Sequence, residues 1–342
     1  MYSNNIYLFL RNERHDGTLA VDKYANLGML KLKRINVLVM ASFRSGSTFI
    51  SEIFIRNPLA FYIFEPGYVL HDKKCLLPMS KYTMSSQRIN MLYDIYSCNF
   101  TTPTTNCYEY VNIEQFQAHW IINERYQQKT KYIDMTHVTE FCMNHPITAI
   151  KTIRVDRLSE LVPLIKDPQI QLKVLHLIRD PRGKFSSMEN IRKQNSVNQL
   201  IQKLDDYCSR WVENMAIGRT MGEWLLGNYR AIRYEDFAEN PINKSRKLYK
   251  FLGLDLPATV IDWLNNNTKI NKGNNPYSTS RDSIKTAHAW KYRLPFNIAR
   301  QIETLDSCRD LMNFAGYTLS KDEHEFQNKS VSYLKSRLDW FM

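Results

Sequence analysis

The stretch Met40-Ala-Ser-Phe-Arg-Ser-Gly-Ser-Thr48 constrains this chain more than any other. It follows the apolar run Ile35–Val39 and precedes the amphipathic segment Phe49–Arg56. Strand, tight polar turn and helix start together build an anion cradle. The first N–H groups of the helix point at the ligand, with the helix dipole behind them. Gly46 lets the backbone turn tightly. Ser45, Ser47 and Thr48 add hydroxyl donors, and Arg44 adds a fixed positive charge.

The turn departs from the nucleotide-triphosphate pattern G-x-x-x-x-G-K-[ST], which needs a glycine at position 41 and a lysine at position 47. The chain has Ala41 and Ser47, and its cation stands three residues earlier, at Arg44. This favours a phosphate-bearing nucleotide and disfavours ordinary ATP hydrolysis or a nucleotide kinase.

A second element reads Leu172-Lys-Val-Leu-His-Leu-Ile-Arg-Asp-Pro-Arg182, an apolar strand ending in charges, with a helix expected over Gly183–Lys193. The two elements together resemble the sulfotransferase superfamily. In that family the first loop holds the 5′-phosphosulfate of 3′-phosphoadenosine 5′-phosphosulfate (PAPS), and the second holds its 3′-phosphate. The family's 3′-phosphate pair, an Arg and a Ser eight residues on, falls on Arg179 and Ser187. Arg grips phosphate with charge-assisted, often bidentate hydrogen bonds, and Ser adds a neutral donor.

One branch matches more closely. Ile147-Thr-Ala-Ile-Lys-Thr-Ile-Arg154, Leu158–Leu164, Arg233-Tyr-Glu-Asp-Phe237, Leu248-Tyr-Lys-Phe-Leu-Gly-Leu254 and Asn275-Pro-Tyr-Ser-Thr-Ser-Arg-Asp-Ser283 resemble the Golgi carbohydrate 6-O-sulfotransferases. These act on galactose, N-acetylglucosamine or N-acetylgalactosamine. The resemblance runs from about Ile35 to Tyr317. It implies an α/β fold with a doubly wound parallel sheet, PAPS as co-substrate without a metal, a glycan or proteoglycan acceptor, and a Golgi lumenal location. A catalytically weak relative that binds PAPS or anionic glycan is the other reading.

Composition is compatible with this. Net charge is +12, which attracts an anionic donor and an anionic glycan. Nucleic acid is disfavoured, because no zinc spacing, RNA-binding aromatic signature or basic-helix array is present. The six cysteines form no C-x-x-C pair, so a zinc site is not expected, and their even count suits disulfides as well as a reduced chain. The sequons at Asn99, Asn243, Asn266 and Asn328 fit a lumenal protein. Enzymes of the branch carry one apolar span before the catalytic domain. Here the longest early apolar run is Ile6-Tyr-Leu-Phe-Leu10, against the about 20 residues a span needs. Membrane association therefore requires an N-terminal anchor that this sequence lacks.

Along the chain we expect an N-terminal arm or stem over 1–34, a sulfotransferase domain over 35–317 with an acceptor-side insertion at 66–145, and a C-terminal tail over 318–342. Strands are expected at Ile35–Val39, Phe61–Phe64, Ala149–Thr152, Leu172–Ile178 and Tyr229–Arg233. Helices are expected at Ile113–Gln127, Leu158–Ile165, Val197–Trp224, Pro241–Leu252 and Pro295–Phe314, with a loop over Asn265–Ser283. Alternating strands and helices make a parallel sheet with the ligand at its carboxyl ends.

Sulfuryl transfer needs the nucleotide held in line, the moving charge stabilised and the attacking hydroxyl deprotonated. By resemblance Arg44 neutralises the bridging and sulfuryl oxygens, Lys151 assists it, and Arg281 closes on the 3′-phosphate. Cytosolic sulfotransferases carry Lys-Thr-His, with His as base, where this chain has Lys151-Thr-Ile153. Another base is needed. Glu65 follows a strand and lies 21 residues after Arg44, about the spacing of the catalytic Glu in the heparan branch. A structural carboxylate paired with a donor-loop Arg or capping a helix is the alternative role for Glu65, and His71 is the alternative base. His176 reads as a core residue. Glu235 and Asp236 read as structural groups that cap the next helix and brace the donor loop.

Overall fold

A computed structural model describes residues 34–71, 84–102, 105, 135–191, 194–220, 225–270 and 278–335. Its strands are β1 (Ile35–Met40), β2 (Ala60–Phe64), β3 (Ile147–Thr152), β4 (Leu172–Ile178) and β5 (Tyr229–Arg233). All neighbours pair in parallel in the order β2-β3-β1-β4-β5. The strands are rich in apolar residues and nearly all of their positions are buried, as expected for a parallel sheet covered on both faces. In β1, Val37 and Val39 enter one core while Leu38 and Met40 enter the other.

The helices are α1 (Ser47–Ile55), α2 (Met84–Tyr96), α3 (Met135–Met143), α4 (Val162–Lys166), α5 (Pro181–Ile191), α6 (Val197–Thr220), α7 (Tyr234–Glu239), α8 (Pro241–Leu252), α9 (Ala258–Asn267), α10 (Ser283–His288), α11 (Trp290–Arg293), α12 (Phe296–Thr304), α13 (Asp306–Ala315) and α14 (Glu323–Gln327). Helices α1, α8 and α9 supply Ile50, Ile53, Tyr249 and Leu264 to one core. Helices α2, α5, α6 and α13 supply Ile95, Phe185, Trp211 and Leu311 to the other. The doubly wound parallel sheet expected from the sequence is therefore the observed fold. The chain leaves β1 toward β2 and β3 on one side and toward β4 and β5 on the other. The carboxyl ends of β1 and β4 thus form a topological switch point, where such sheets bind ligands.

Four expectations change. Helix α5 begins at Pro181 rather than Gly183, because the Asp180 carboxylate accepts from the Arg182 N–H at 2.9 Å and a proline suits the first helical position. The expected Pro295–Phe314 helix is two, α12 and α13, divided at Leu305, which has ψ 122. Each presents its own apolar stripe to one core, Ala299 and Ile302 from the first and Cys308, Leu311 and Met312 from the second. The expected Asn265–Ser283 loop overlaps the end of α9, since an amphipathic stripe with buried Val260 and Leu264 carries the helix to Asn267. The expected Leu158–Ile165 helix starts as a 3₁₀ turn, Leu158–Leu161, before α4. The helix expected at Ile113–Gln127, the N-terminal arm apart from Arg34, and residues 221–224 at the end of the expected Val197–Trp224 helix lie outside the described residues.

Disulfides Cys98–Cys142 and Cys208–Cys308 join the turn after α2 to α3, and α6 to α13. Cys75 and Cys107 lie outside the described residues. Disulfides persist in oxidising compartments, so the chain matures in one. Among the described residues, no helix is long and apolar enough to cross a membrane. Residues 318–335 pack back onto the domain. Tyr317 bridges Leu334, and the Tyr333 ring lies 4.7 Å from the Arg182 guanidinium.

His176 is fully buried in β4 and shares a 2.8 Å hydrogen bond with the Tyr229 hydroxyl. Burial pushes its pKa down from 6.5 to about 3. Between those values the unfolded chain holds a proton that the folded chain does not, so stability rises with pH across this window and is lost on acidification. Denaturant titrations at steps from pH 6.5 to 3 should show that loss, and His176→Gln should remove on the order of 4 kcal/mol of it. The same acid slope in the variant would assign it to other groups.

Candidate active site

The anion turn begins where β1 ends. Ala41 N–H donates to the Thr152 carbonyl at 3.0 Å. Within the turn, Ser45 donates from both its N–H and its hydroxyl to the Ser42 carbonyl, at 3.1 and 2.8 Å. Ser45, expected to hold ligand with its hydroxyl, is instead buried and braces the loop. Arg44 has φ 63 and Gly46 has φ 89. A β-carbon at Gly46 would fall 2.3 Å from the Tyr234 ring, so this position requires glycine twice over, for its conformation and for its packing. Ser47 and Thr48 start α1, whose first turn carries no acidic residue. The helix end thus keeps its attraction for anions.

Helix α5 forms the facing wall. Arg179 donates through Nη1 to the Arg44 carbonyl at 2.9 Å, and its guanidinium lies 4.6 Å from the Tyr234 ring centre. Its Nε is buried without a hydrogen-bond partner. Ser187 accepts a 3.0 Å hydrogen bond from Arg44 Nε. The two stretches singled out in the sequence therefore touch each other. Lys184, which the sequence reading missed, is buried under the turn. It donates to Ser42 Oγ at 2.9 Å and to the Phe43 carbonyl, with its ammonium 4.1 Å from the Tyr207 ring centre. The clue in the sequence was a lysine early in the helix that follows the charged strand end.

Strand register brings in the third group. Phe64 of β2 stands beside Lys151 of β3, and the Glu65 N–H donates to the Lys151 carbonyl at 2.8 Å. Glu65 has φ 47. Its Oε1 accepts from Lys151 Nζ, and its Oε2 lies 3.7 Å from Arg154 Nη2. Both Glu65 and Lys151 are buried. Burial holds the Lys151 ammonium below the ordinary lysine pKa, opposed by the pull of Glu65. The structural alternative for Glu65 was a pair with a donor-loop Arg; its observed partners are Lys151 and Arg154. The side chain of His71 lies outside the described residues.

Arg281 comes from a loop tied down on both sides. Thr279 donates to Glu52 Oε1 at 2.7 Å, Ser280 to Asn267 Oδ1 at 2.6 Å, and Arg281 N–H to the Asn267 carbonyl at 2.9 Å. Glu235 is buried behind Arg179, where its carboxylate accepts from the Asp180 N–H at 3.2 Å and the Tyr317 hydroxyl at 2.7 Å. Burial raises its pKa, with the nearby Asp180 charge adding to the effect. Asp236 accepts from Arg233 and Lys244.

Arg44, Gly46, Ser47, Thr48, Glu65, Lys151, Arg179, Ser187 and Arg281 all line one cavity of about 530 Å³. Lys285 and Arg293, both unforeseen, bring the lining cations to six among the described residues, against one carboxylate, Glu65. Tyr234 and Trp290 add aromatic walls. A cleft of one charge sign with apolar walls concentrates ligands of the opposite sign. Such a site can hold a polyanion with an aromatic part and stabilise negative charge that develops during a group transfer.

Several known proteins are similar to this chain. Carbohydrate sulfotransferase 1 of Danio rerio is 28% identical over 371 residues, covering 92% of this chain and 86% of its own. Carbohydrate sulfotransferase 3 of Homo sapiens is 28% identical over 347 residues, covering 89% and 71%. Among solved structures, the sulfotransferase domain from the Synechococcus PCC 7002 olefin synthase aligns at 18% identity with TM-score 0.45, covering 82% of this chain and 94% of that one. The profile of the sulfotransferase family matches residues 36–258. That span contains the anion turn, Glu65, Lys151, Arg179 and Ser187, and the chain belongs to the sulfotransferase family.

Proposed function

We propose that this protein transfers a sulfuryl group from PAPS to the 6-hydroxyl of a sugar in a glycan or proteoglycan chain, in the Golgi lumen. The observation that carries the reading is the meeting of the anion turn, the Arg179–Ser187 helix and the Glu65–Lys151 pair around one cationic cavity. The buried, unpartnered Nε of Arg179 fits a phosphate ligand there. The carbohydrate acceptor follows from the names of the relatives, and the disulfides suit a lumenal protein.

PAPS supplies the sulfuryl group and leaves as 3′-phosphoadenosine 5′-phosphate. The α1 N-terminus with Gly46, Ser47 and Thr48 binds the 5′-phosphosulfate, and Arg179, Ser187 and Arg281 bind the 3′-phosphate. Arg44 and Lys151 hold the charge that grows between sulfur and the leaving phosphate. Glu65 takes the proton from the sugar hydroxyl. Ser187 joins the two halves, since its hydroxyl already rests on Arg44.

Incubation with radiolabelled PAPS and a panel of desulfated glycans tests the reading. Label is expected on the 6-position of one acceptor class. Binding of donor and glycan with no label transferred would favour the weak binder instead. Donor contacts can be tested separately. Arg179→Ala removes a charge-assisted interaction worth roughly 1.5–3 kcal/mol. Affinity for 3′-phosphoadenosine 5′-phosphate should fall by about tenfold or more, while adenosine 5′-phosphosulfate, lacking the 3′-phosphate, should lose little. Equal losses for the two ligands by calorimetry would remove Arg179 from the 3′-phosphate.

A further inference from the structure

Beyond the outer oxygen of Glu65 lies a second cationic feature that the donor cavity does not include. The 3₁₀ turn Pro66–His71 follows Glu65 and carries Tyr68, a ring that is 56% exposed. The Arg154 guanidinium lies 5.2 Å from the centre of this ring. Arg154 Nε is buried and has no hydrogen-bond partner, and its Nη2 stands 3.7 Å from Glu65. Glu65 is already shared with Lys151, so it compensates Arg154 incompletely. Arg88 of α2 approaches from the other side, also with a buried, unpartnered Nε, and with Glu160 at 3.7 Å. Gly67 leaves the space between them. A β-carbon there would stand 3.3 Å from Arg154 Cδ and 3.8 Å from Arg88 Cδ.

We infer that Tyr68, Arg154 and Arg88 form an acceptor subsite that reads an anionic substituent, carboxylate or sulfate, on a sugar beside the one being modified. The inference rests on the function proposed above. Its logic is spatial. Glu65 turns Oε1 to Lys151 and the donor cavity, and Oε2 to Arg154. A hydroxyl that delivers its proton to Glu65 arrives from the side the donor does not fill. A pyranose presents an apolar C–H face, which packs on an exposed aromatic ring. Guanidinium groups with unused donors match carboxylate and sulfate oxygens. An aromatic platform beside under-compensated arginines therefore suits a charged oligosaccharide better than a neutral one.

Three acceptors separate the possibilities: a neutral lactosamine oligosaccharide, the same oligosaccharide carrying one sulfate, and desulfated chondroitin, whose anion is a carboxylate. The unaltered protein should show a lower acceptor KM for at least one acidic substrate, and the preferred one identifies the anion. Arg154→Gln should raise that KM by about tenfold and shrink the preference over the neutral acceptor. Tyr68→Ala should raise acceptor KM for all three, and Tyr68→Phe should restore it. Donor KM should hold throughout, and melting temperatures report whether each variant folds. An equal fall in kcat for all three acceptors with unchanged KM would mean that Arg154 only props Glu65, which overturns the subsite. If the unaltered protein sulfates none of the three, the proposed function fails rather than this inference alone. Calorimetry of the sulfated oligosaccharide against wild type and Arg154→Gln then decides the subsite directly, with equal affinities overturning it.

Discussion

Glu65→Gln should lower kcat by about 10²–10⁴-fold, the usual cost of losing a general base, with donor affinity nearly intact. Glutamine keeps the size of the side chain and one accepting oxygen but has no basic carboxylate. The acidic limb of the pH–rate profile should vanish or move. The ion pair with Lys151 adds a complication that can be used. Breaking a buried pair by removing one partner costs roughly 3–5 kcal/mol, because it strands the other charge. Stability will therefore fall in the single variant, and a fall in activity alone would be ambiguous. The double variant Glu65→Gln with Lys151→Met removes both charges and should regain much of that stability. If the melting temperature recovers while kcat stays well below that of Lys151→Met alone, the carboxylate acts in the reaction. If kcat recovers with stability, Glu65 is structural and His71 becomes the base to test.

Arg44→Ala is expected to cut kcat by about 10²–10³-fold, comparable to removing one preorganised donor from a developing anion. Donor KM should rise far less. Alanine suffers the same left-handed backbone that Arg44 adopts at φ 63, so the loop has little reason to rearrange. The contact with Ser187 predicts a smaller, separate effect on donor binding, since Ser187 loses the group that orients its hydroxyl. Ser187→Ala should reproduce that binding loss without the fall in kcat. An unchanged kcat with a raised donor KM in Arg44→Ala would make Arg44 a binding residue only.

What could be read from the sequence followed from local chemistry. Buried parallel strands announce themselves as apolar-rich runs, and β4 and β5 match their expected limits at Leu172–Ile178 and Tyr229–Arg233. Gly46 marks its turn for a reason intrinsic to one residue. All but Ser45 of the site residues nominated from the motifs line one cavity, most of them at or just beyond the carboxyl ends of the strands or in the helices that follow. Ser45 was misjudged because a serine in a polar turn reads alike whether its hydroxyl faces ligand or the Ser42 carbonyl. Lys184 was missed because its partners, Ser42 and Phe43, are distant in sequence and one of them is a backbone carbonyl. The break at Leu305 carries no glycine or proline, and only the direction of two apolar stripes requires it. Pairings such as Glu65 with Lys151 depend on strand register, which no single segment encodes.

Among the described residues, four other than glycine hold a left-handed backbone, and two of them are Arg44 and Glu65. Each such residue costs of order 1–3 kcal/mol, and glycine or asparagine would sit there more comfortably. In the proposed reaction these positions supply a guanidinium and a carboxylate, which neither substitute carries. Thermostability and turnover are thus opposed at these two positions. A laboratory selection for heat resistance alone would drift toward glycine or asparagine at both and return a robust, inert protein. A stabilised version of this enzyme is better sought at positions remote from both turns.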